Sequence, residues 1–174
     1  MNYLNIPSSF SWETLGDVGE GRRNLGFDMP VIVYRLFQYA IKDILSREYG
    51  KETSMDLFRV AGHLAGTHFA RNVLDLSGDF DFFITNLQKQ LADLKIGILR
   101  IEKADLENLS LTLTVSEDLD CSGLPVTDDT VCDYDEGFIG GILETYTGKK
   151  FDVKEIDCWA SGDRTCRFTV NVIN

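Results

Sequence analysis

The sequence predicts an α+β fold: an antiparallel sheet of about four strands packed against a helical layer, helices first and a terminal β-hairpin last. Three observations predict it. Apolar residues recur at the helical period through the first half of the chain, and beyond residue 96 the period switches to two. A glycine-flanked helical segment then interrupts the strands before two more alternating runs close the chain. With 174 residues, 44% of them hydrophobic, the chain is long enough to bury a core as one domain. We read residues 1–28 as an N-terminal arm, 29–95 as a helical half, and 96–174 as a sheet with an inserted helix and a final hairpin.

The arm carries scattered apolar residues and the glycine-rich "GEGRRNLG", which reads as a loop. "DMPVIVYRLFQYAIKDILSREYG" is the clearest helix, with Asp28 or Met29 placed to cap, Pro30 suited to the first turn and Gly50 to the stop. Val33, Leu36, Phe37, Ala40, Ile41, Ile44 and Leu45 form one apolar stripe on it. A second helix is predicted from about Ser54 to Leu74, with Leu57, Phe58, Ala61, Leu64, Ala65 and Phe69 at helical spacing. Its pairs Ala61–Ala65 and Gly62–Gly66 are small residues four apart, which lets another backbone approach closely, although each glycine costs helix propensity. A third helix starts near Asp79, with a stripe of Phe80, Phe83, Ile84, Leu87, Leu91 and Leu94. "IGILRIEK" then reads as a strand and "ADLEN" as a turn. "LSLTLTV" alternates without error, with Leu109, Leu111, Leu113 and Val115 on one face. "SEDLDCSGLPVTDD" is a loop, "CDYDEGFIGGILETYTGK" a helix with acids in its first turn and Gly148 after its end, and "KFDVKEIDCWA" with "TCRFTVNVI" the hairpin.

Net charge is −11, from 28 acids against 17 bases, which argues against a nucleic-acid backbone or an anionic membrane as the main partner. No apolar run approaches the length needed to span a bilayer. The N-terminus lacks the basic and apolar regions of a signal peptide, so a cytoplasmic location is the expectation. In that compartment four cysteines are core residues, a metal site or a reactive pair rather than two structural disulfides.

Cys158 and Cys166 flank Ser-Gly-Asp. If the hairpin tip centres on Gly162, they face one another across the strands, close enough to share a metal; the spacing alone leaves buried thiols and a disulfide open. Lys149, Lys150, Lys154, Arg164 and Arg167 crowd this stretch, and positive charge favours thiolate. Cys132 opens the fourth helix, where backbone amides do the same, and Cys121 lies in a loop and reads as an ordinary residue. Glu155 falls on the wrong face of a regular strand for joining Cys158, unless a bulge between Val153 and Ile156, both read as inward, realigns the faces. His63 and His68, five apart on a helix, diverge and do not share a metal. Asp133, Asp135 and Glu136 read as helix-start acids. The sequence shows no phosphate loop, dinucleotide fingerprint, zinc-protease motif or nucleophile elbow.

The run "VCDYDEGFIGGILETYTGKKFDVKEIDCWASGDRTCRFTV" resembles the signature region of the 4-vinyl reductase domain family, and "GRRNLGFDMPVIVYRLFQYA" with "RVAGHLAGTHFA" resembles the family's helical half. That family includes bacteriochlorophyll-biosynthesis proteins and the aromatic-sensing domains of phenol- and xylene-responsive transcription activators, and its fold is similar to that of TRAPP vesicle-tethering subunits. The resemblance implies a structural zinc held by three cysteines and one glutamate, which map here onto Cys132, Glu155, Cys158 and Cys166, with Cys121 outside the set. A closed four-ligand site of this kind is structural rather than catalytic. The resemblance also implies a small-molecule pocket between helices and sheet, for which Phe58, Phe69, Phe83, Leu87 and Leu111 are the candidates here. The function it implies is a zinc-stabilised sensor or carrier of a small hydrophobic or aromatic molecule, as a homodimer and not itself an enzyme. The alternatives are an enzyme or accessory in vinyl-group reduction of chlorophyll-type tetrapyrroles, and a TRAPP-like assembly subunit. Hydride chemistry needs a cofactor, and the sequence offers no fingerprint for one.

Overall fold

The structure is a computed structural model that describes residues 8–173; residues 1–7, the start of the expected arm, lie outside the described residues. Among the described residues it is α+β, with five helices and a four-stranded antiparallel sheet, as the sequence predicts. The chain divides into two compact units, Met1–Leu57 and Phe58–Asn174.

In the first unit a 3-10 turn at Trp12–Leu15 precedes the one-turn helix α1, Val18–Gly21, whose start is capped by Asp17 accepting from the Glu20 amide. Helix α2 spans Val31–Tyr49. Pro30 occupies its cap position instead of the first turn, and no side chain caps it, so neither Asp28 nor Met29 has the expected role. Gly50 ends it as expected, at φ 88°, a left-handed value that favours glycine. The predicted apolar stripe is present but faces outward: Val33, Leu36, Phe37 and Ile44 are all exposed. The buried residues of this unit include Gln38 and Ser54, and the Ser54 hydroxyl donates to the Lys42 carbonyl.

Helix α3, Lys51–Val73, carries the chain into the second unit. Gly62, Gly66, Phe69 and Ala70 are buried along it, whereas Ala61 is exposed. Helix α4, Phe80–Asp93, starts where Asp79 accepts from the Phe82 amide at 3.0 Å. It buries Phe83, Ile84, Leu87 and Leu91, while Leu94, the last of the predicted stripe, caps the end and is exposed.

Strands β1, Ile98–Asp105, β2, Ser110–Ser116, β3, Phe151–Asp157, and β4, Cys166–Val172, pair in the order β1-β2-β4-β3, every neighbour antiparallel. Alternation in β2 puts Leu111, Leu113 and Val115 in the core; Leu109 stands just outside the strand with a left-handed φ of 49°. Helix α5, Asp133–Thr147, lies between β2 and β3 in sequence and is ended by Gly148 in the left-handed conformation. The core joins Phe83 and Ile142 from the helices to Phe168 and Val170 from β4. Phe83 stacks on Tyr146 of α5 with ring centres 3.9 Å apart, and the Tyr146 hydroxyl donates to the Gly78 carbonyl.

Four glycines set how α3 and α5 meet. A β-carbon on Gly62 or Gly66 would collide with the backbone of Tyr134 or Phe138, and one on Gly137 or Gly141 with the backbone of Arg59 or His63. The close approach expected at Gly62–Gly66 is therefore made, and its partner is the "GFIGG" stretch of α5.

Candidate metal centre and the cavity beside it

Four separate elements deliver one cysteine each to a single buried point. Cys121 comes from the loop after β2. There Asp118 Oδ1 accepts from the amides of Asp120 and Cys121 at 2.8 and 3.0 Å, a side-chain-stabilised turn that directs the thiol inward. Cys132 is the residue before α5. Cys158 follows β3 and starts the 3-10 turn Trp159–Ser161; Cys166 is the first residue of β4 and pairs with Val115. Cys158 and Cys166 are thus not cross-strand partners as expected, because β3 ends at Asp157, opposite Arg167.

The register of the hairpin shifts between Glu155 and Asp157, a bulge at Ile156. Val153 and Glu155 stay on the buried face and Ile156 is exposed, so the bulge occurs but Ile156 does not look inward. The extra residue lets Glu155 and Cys158, three apart, point to the same side.

All four cysteines are buried and unbridged, and their sulfurs all lie within 4.8 Å of one another. Cys132 Sγ stands 3.8 Å from Cys158 Sγ and 3.7 Å from Cys166 Sγ, and Cys121 Sγ 3.0 Å from Cys166 Sγ. Tetrahedral zinc with bonds of about 2.3 Å separates its sulfur ligands by roughly 3.8 Å, which two of these distances match. A disulfide needs about 2.05 Å, and none approaches it. The donor set fits a closed thiolate site for zinc.

Glu155 is not a member of that four-donor group. Its Oε2 accepts from the Cys132 amide at 3.0 Å, its own amide donates to Glu136 Oε1 at 2.9 Å, and its Oε1 is buried with no hydrogen-bond partner. Burial, and next the Cys158 sulfur, raise its carboxyl to about 8. The thiols polarise one another. Cys158 is held well below an ordinary thiol because the Cys121, Cys132 and Cys166 thiols donate to it, while Cys132 and Cys166 are raised, first by the sulfur of Cys121.

The bases expected to offset this charge reach carboxylates instead. Lys154 pairs with Glu136 at 2.8 Å, and Arg167 with Glu102 at 2.9 Å and with Asp157. Arg59 of α3 spans Asp133, at 2.9 Å, and Glu136, two buried acids that start α5. His63 pairs with Glu144 at 2.8 Å and is not near the cysteines' donor group.

Beside the cysteines a cavity runs between α4, α5 and the sheet. Its walls include Leu87, Leu91, Leu111, Leu113, Phe138 and Ile142, and its polar residues are Asp118 and Asp135. Of the five residues expected to line a pocket, Leu87 and Leu111 do. Phe83 is packed against Tyr146, Phe69 pairs with Phe138 at 5.2 Å, and Phe58 does not line the cavity. The aromatic residues chosen from the sequence go to core stacking, and the cavity wall is almost wholly aliphatic.

Residues 111–172 match the model of the vinyl-4-reductase (V-4-R) domain. The matched segment runs from β2 to the end of β4 and includes all four cysteines, so the resemblance read from the C-terminal third is borne out. An uncharacterised protein of Methanocaldococcus jannaschii is 29% identical over 107 residues, 62% of this chain and 61% of that protein; the chain thus spans less than two thirds of that relative's length. A vinyl-4-reductase family protein of the same organism superposes with a TM-score of 0.64 at 21% identity, covering 97% of this chain and 100% of that one. The phenol-responsive sensory domain of the transcription activator PoxR, solved with phenol, superposes with a TM-score of 0.67 at 17% identity, covering 94% of this chain and 92% of that one. At these identities the two structures speak for the fold alone.

Sequence reasoning missed Cys121, Asp118 and Asp135. The first two lie in a loop whose period carries no burial signal, and the third among acids that suit any helix start. The available sign was the turn chemistry of Asp118 ahead of Asp120 and Cys121.

Proposed function

We propose that this protein is a zinc-stabilised domain of the vinyl-4-reductase type that binds a small apolar molecule, as a sensor or carrier rather than an enzyme. The observation that carries the reading is the aliphatic cavity bounded by α4, α5 and the sheet, with only two polar residues in its wall; apolar enclosure with few polar anchors is the usual form of a small-molecule site. The likeness to a sensory domain solved with phenol is consistent with it.

In this reading Cys121, Cys132, Cys158 and Cys166 hold zinc, with Glu155 bracing Cys132 through its amide. Four thiolates leave no open position for water, so the ion supplies cross-linking and no chemistry. The cross-link joins the loop after β2, the start of α5 and both sides of the final hairpin, which are the elements around one end of the cavity. The outward apolar face of α2 supports a homodimer in the same reading, since contiguous apolar surface of this kind marks interaction sites.

Native mass spectrometry of the purified protein, with elemental analysis, tests the proposal. One zinc per chain and a co-purifying apolar molecule are expected. A retained flavin or nicotinamide would support the vinyl-reduction alternative instead, and a chain with no zinc and no affinity for apolar molecules would overturn the reading.

A further inference from the structure

Asp118 and Asp135 are unusual companions for a cavity walled by leucine, isoleucine and valine. Asp118 is 4% exposed, and its Oδ1 is already engaged by two backbone amides. Asp135, on the first turn of α5, has its Oδ2 buried with no hydrogen-bond partner. One oxygen of each carboxyl, together with Cys132 Sγ, lies within 4.8 Å of the others, so the two acids meet at the end of the cavity nearest the cysteines. A buried acceptor without a donor is strongly disfavoured unless something supplies one. Asp135 is therefore a poor choice for a cavity whose occupant is a pure hydrocarbon.

Resting on the binding function proposed above, we infer that the cavity selects a compact apolar molecule bearing one hydrogen-bond donor, a hydroxyl or an amine, and that Asp135 Oδ2 accepts that donor. The aliphatic walls take the body of the molecule by shape and burial alone. Asp135 fixes its orientation, donor toward the cysteine end. Asp118 holds the loop that closes this end, because the turn it stabilises carries Cys121. Discrimination of this kind is steep. A site built to hydrogen-bond a ligand group rejects the isostere lacking it far more strongly than an apolar pocket rejects an extra methylene.

Three molecules of nearly one shape separate the possibilities: cyclohexanol, cyclohexylamine and methylcyclohexane, titrated into the zinc-loaded protein and followed by the NMR shifts of the leucine, isoleucine and valine methyl groups. Wild type is expected to bind the alcohol or the amine at least tenfold more tightly than the hydrocarbon. Asp135→Leu is expected to abolish that preference while keeping or improving methylcyclohexane binding. Asp135→Asn, which keeps shape and a carbonyl acceptor, is expected to bind the alcohol and to lose preference for the amine; it also serves if the leucine variant does not fold. Equal binding of all three by wild type, or an unchanged preference in Asp135→Leu, overturns the inference and leaves the binding function standing. Binding of none overturns both. Zinc content that falls in Asp135→Asn also overturns it, because the carboxyl is then holding metal.

Discussion

Helices α2 and α4 carry the same apolar rhythm and meet opposite fates. In α4 the stripe disappears into the second unit, with Phe83 at 0% and Leu91 at 6% exposure. In α2 Leu36 and Phe37 remain 65% and 67% exposed, and the more buried Gln38 lies beside them. The difference teaches what helical periodicity measures. It records that a face is apolar, and it does not say whether the covering surface comes from the same chain. The second unit, with its sheet, crossed helices and cysteine cluster, closes on itself. The first keeps an apolar face turned to solvent. Perturbations should therefore act on folding in one unit and on association in the other.

The largest effect is expected at the cysteine cluster. Cys121→Ser should release zinc and lower stability by about 4 kcal/mol, the range in which metal loss falls, or ~8–16 °C in Tm for a chain of this length. Glu155→Gln should keep the zinc, since the glutamine can still accept from the Cys132 amide. Elemental analysis beside thermal unfolding checks both. The reverse pattern, zinc kept without Cys121 and lost without the Glu155 carboxylate, would restore the ligand set of Cys132, Glu155, Cys158 and Cys166 that the resemblance implies.

A middling effect separates two neighbouring glycines of α5. Gly137 faces the Arg59 backbone, and an alanine methyl there has no room. Gly137→Ala should destabilise by about 3 kcal/mol, the upper part of the range for overpacking. At Gly140 a methyl would meet only Val153 and His63 side chains, at 3.7 and 3.9 Å. Gly140→Ala should be neutral, or stabilise by up to about 1 kcal/mol through helix propensity. Denaturant midpoints that move alike for the two would show that α3 and α5 can separate at low cost.

How much of this was legible in the sequence follows the same division. Wherever a side-chain period meets a face buried by the same chain, as in β2 and α4, the residues name both the element and its inward side. The Gly62–Gly66 spacing announces a close approach, yet the partner glycines of α5 read only as a peculiarity of "EGFIGGI", because a backbone contact is a pairwise fact and spacing shows one side of it. The cysteine end is the least legible. Its geometry depends on one extra residue at Ile156 and on an aspartate-made turn at Asp118, and both are local departures from a period. The resemblance supplied three of the clustered cysteines and the neighbouring glutamate; it passed over Cys121, which only the folded loop brings in.

The smallest effect on stability, and the sharpest on the comparison, is expected from Leu36→Glu. Leu36 is exposed in the single chain, so a charge there costs little folding free energy, within about 0.5 kcal/mol for an ordinary surface change. If the α2 face is where two copies meet, the same carboxylate would be buried against apolar side chains without a partner, which costs far more than its neutral counterpart. Sedimentation at several concentrations should then show wild type as a dimer and the variant as a monomer, with unchanged zinc and nearly unchanged Tm. Leu36→Ala should weaken the dimer without abolishing it, since truncation removes apolar contact but introduces no charge. A wild-type chain that stays monomeric at high concentration would separate the rhythm of α2 from self-association, and the apolar face would then need a different partner. A variant that instead loses Tm in proportion to Phe83→Ala would show α2 to be packed as tightly as α4, and the contrast between the two helices would fail.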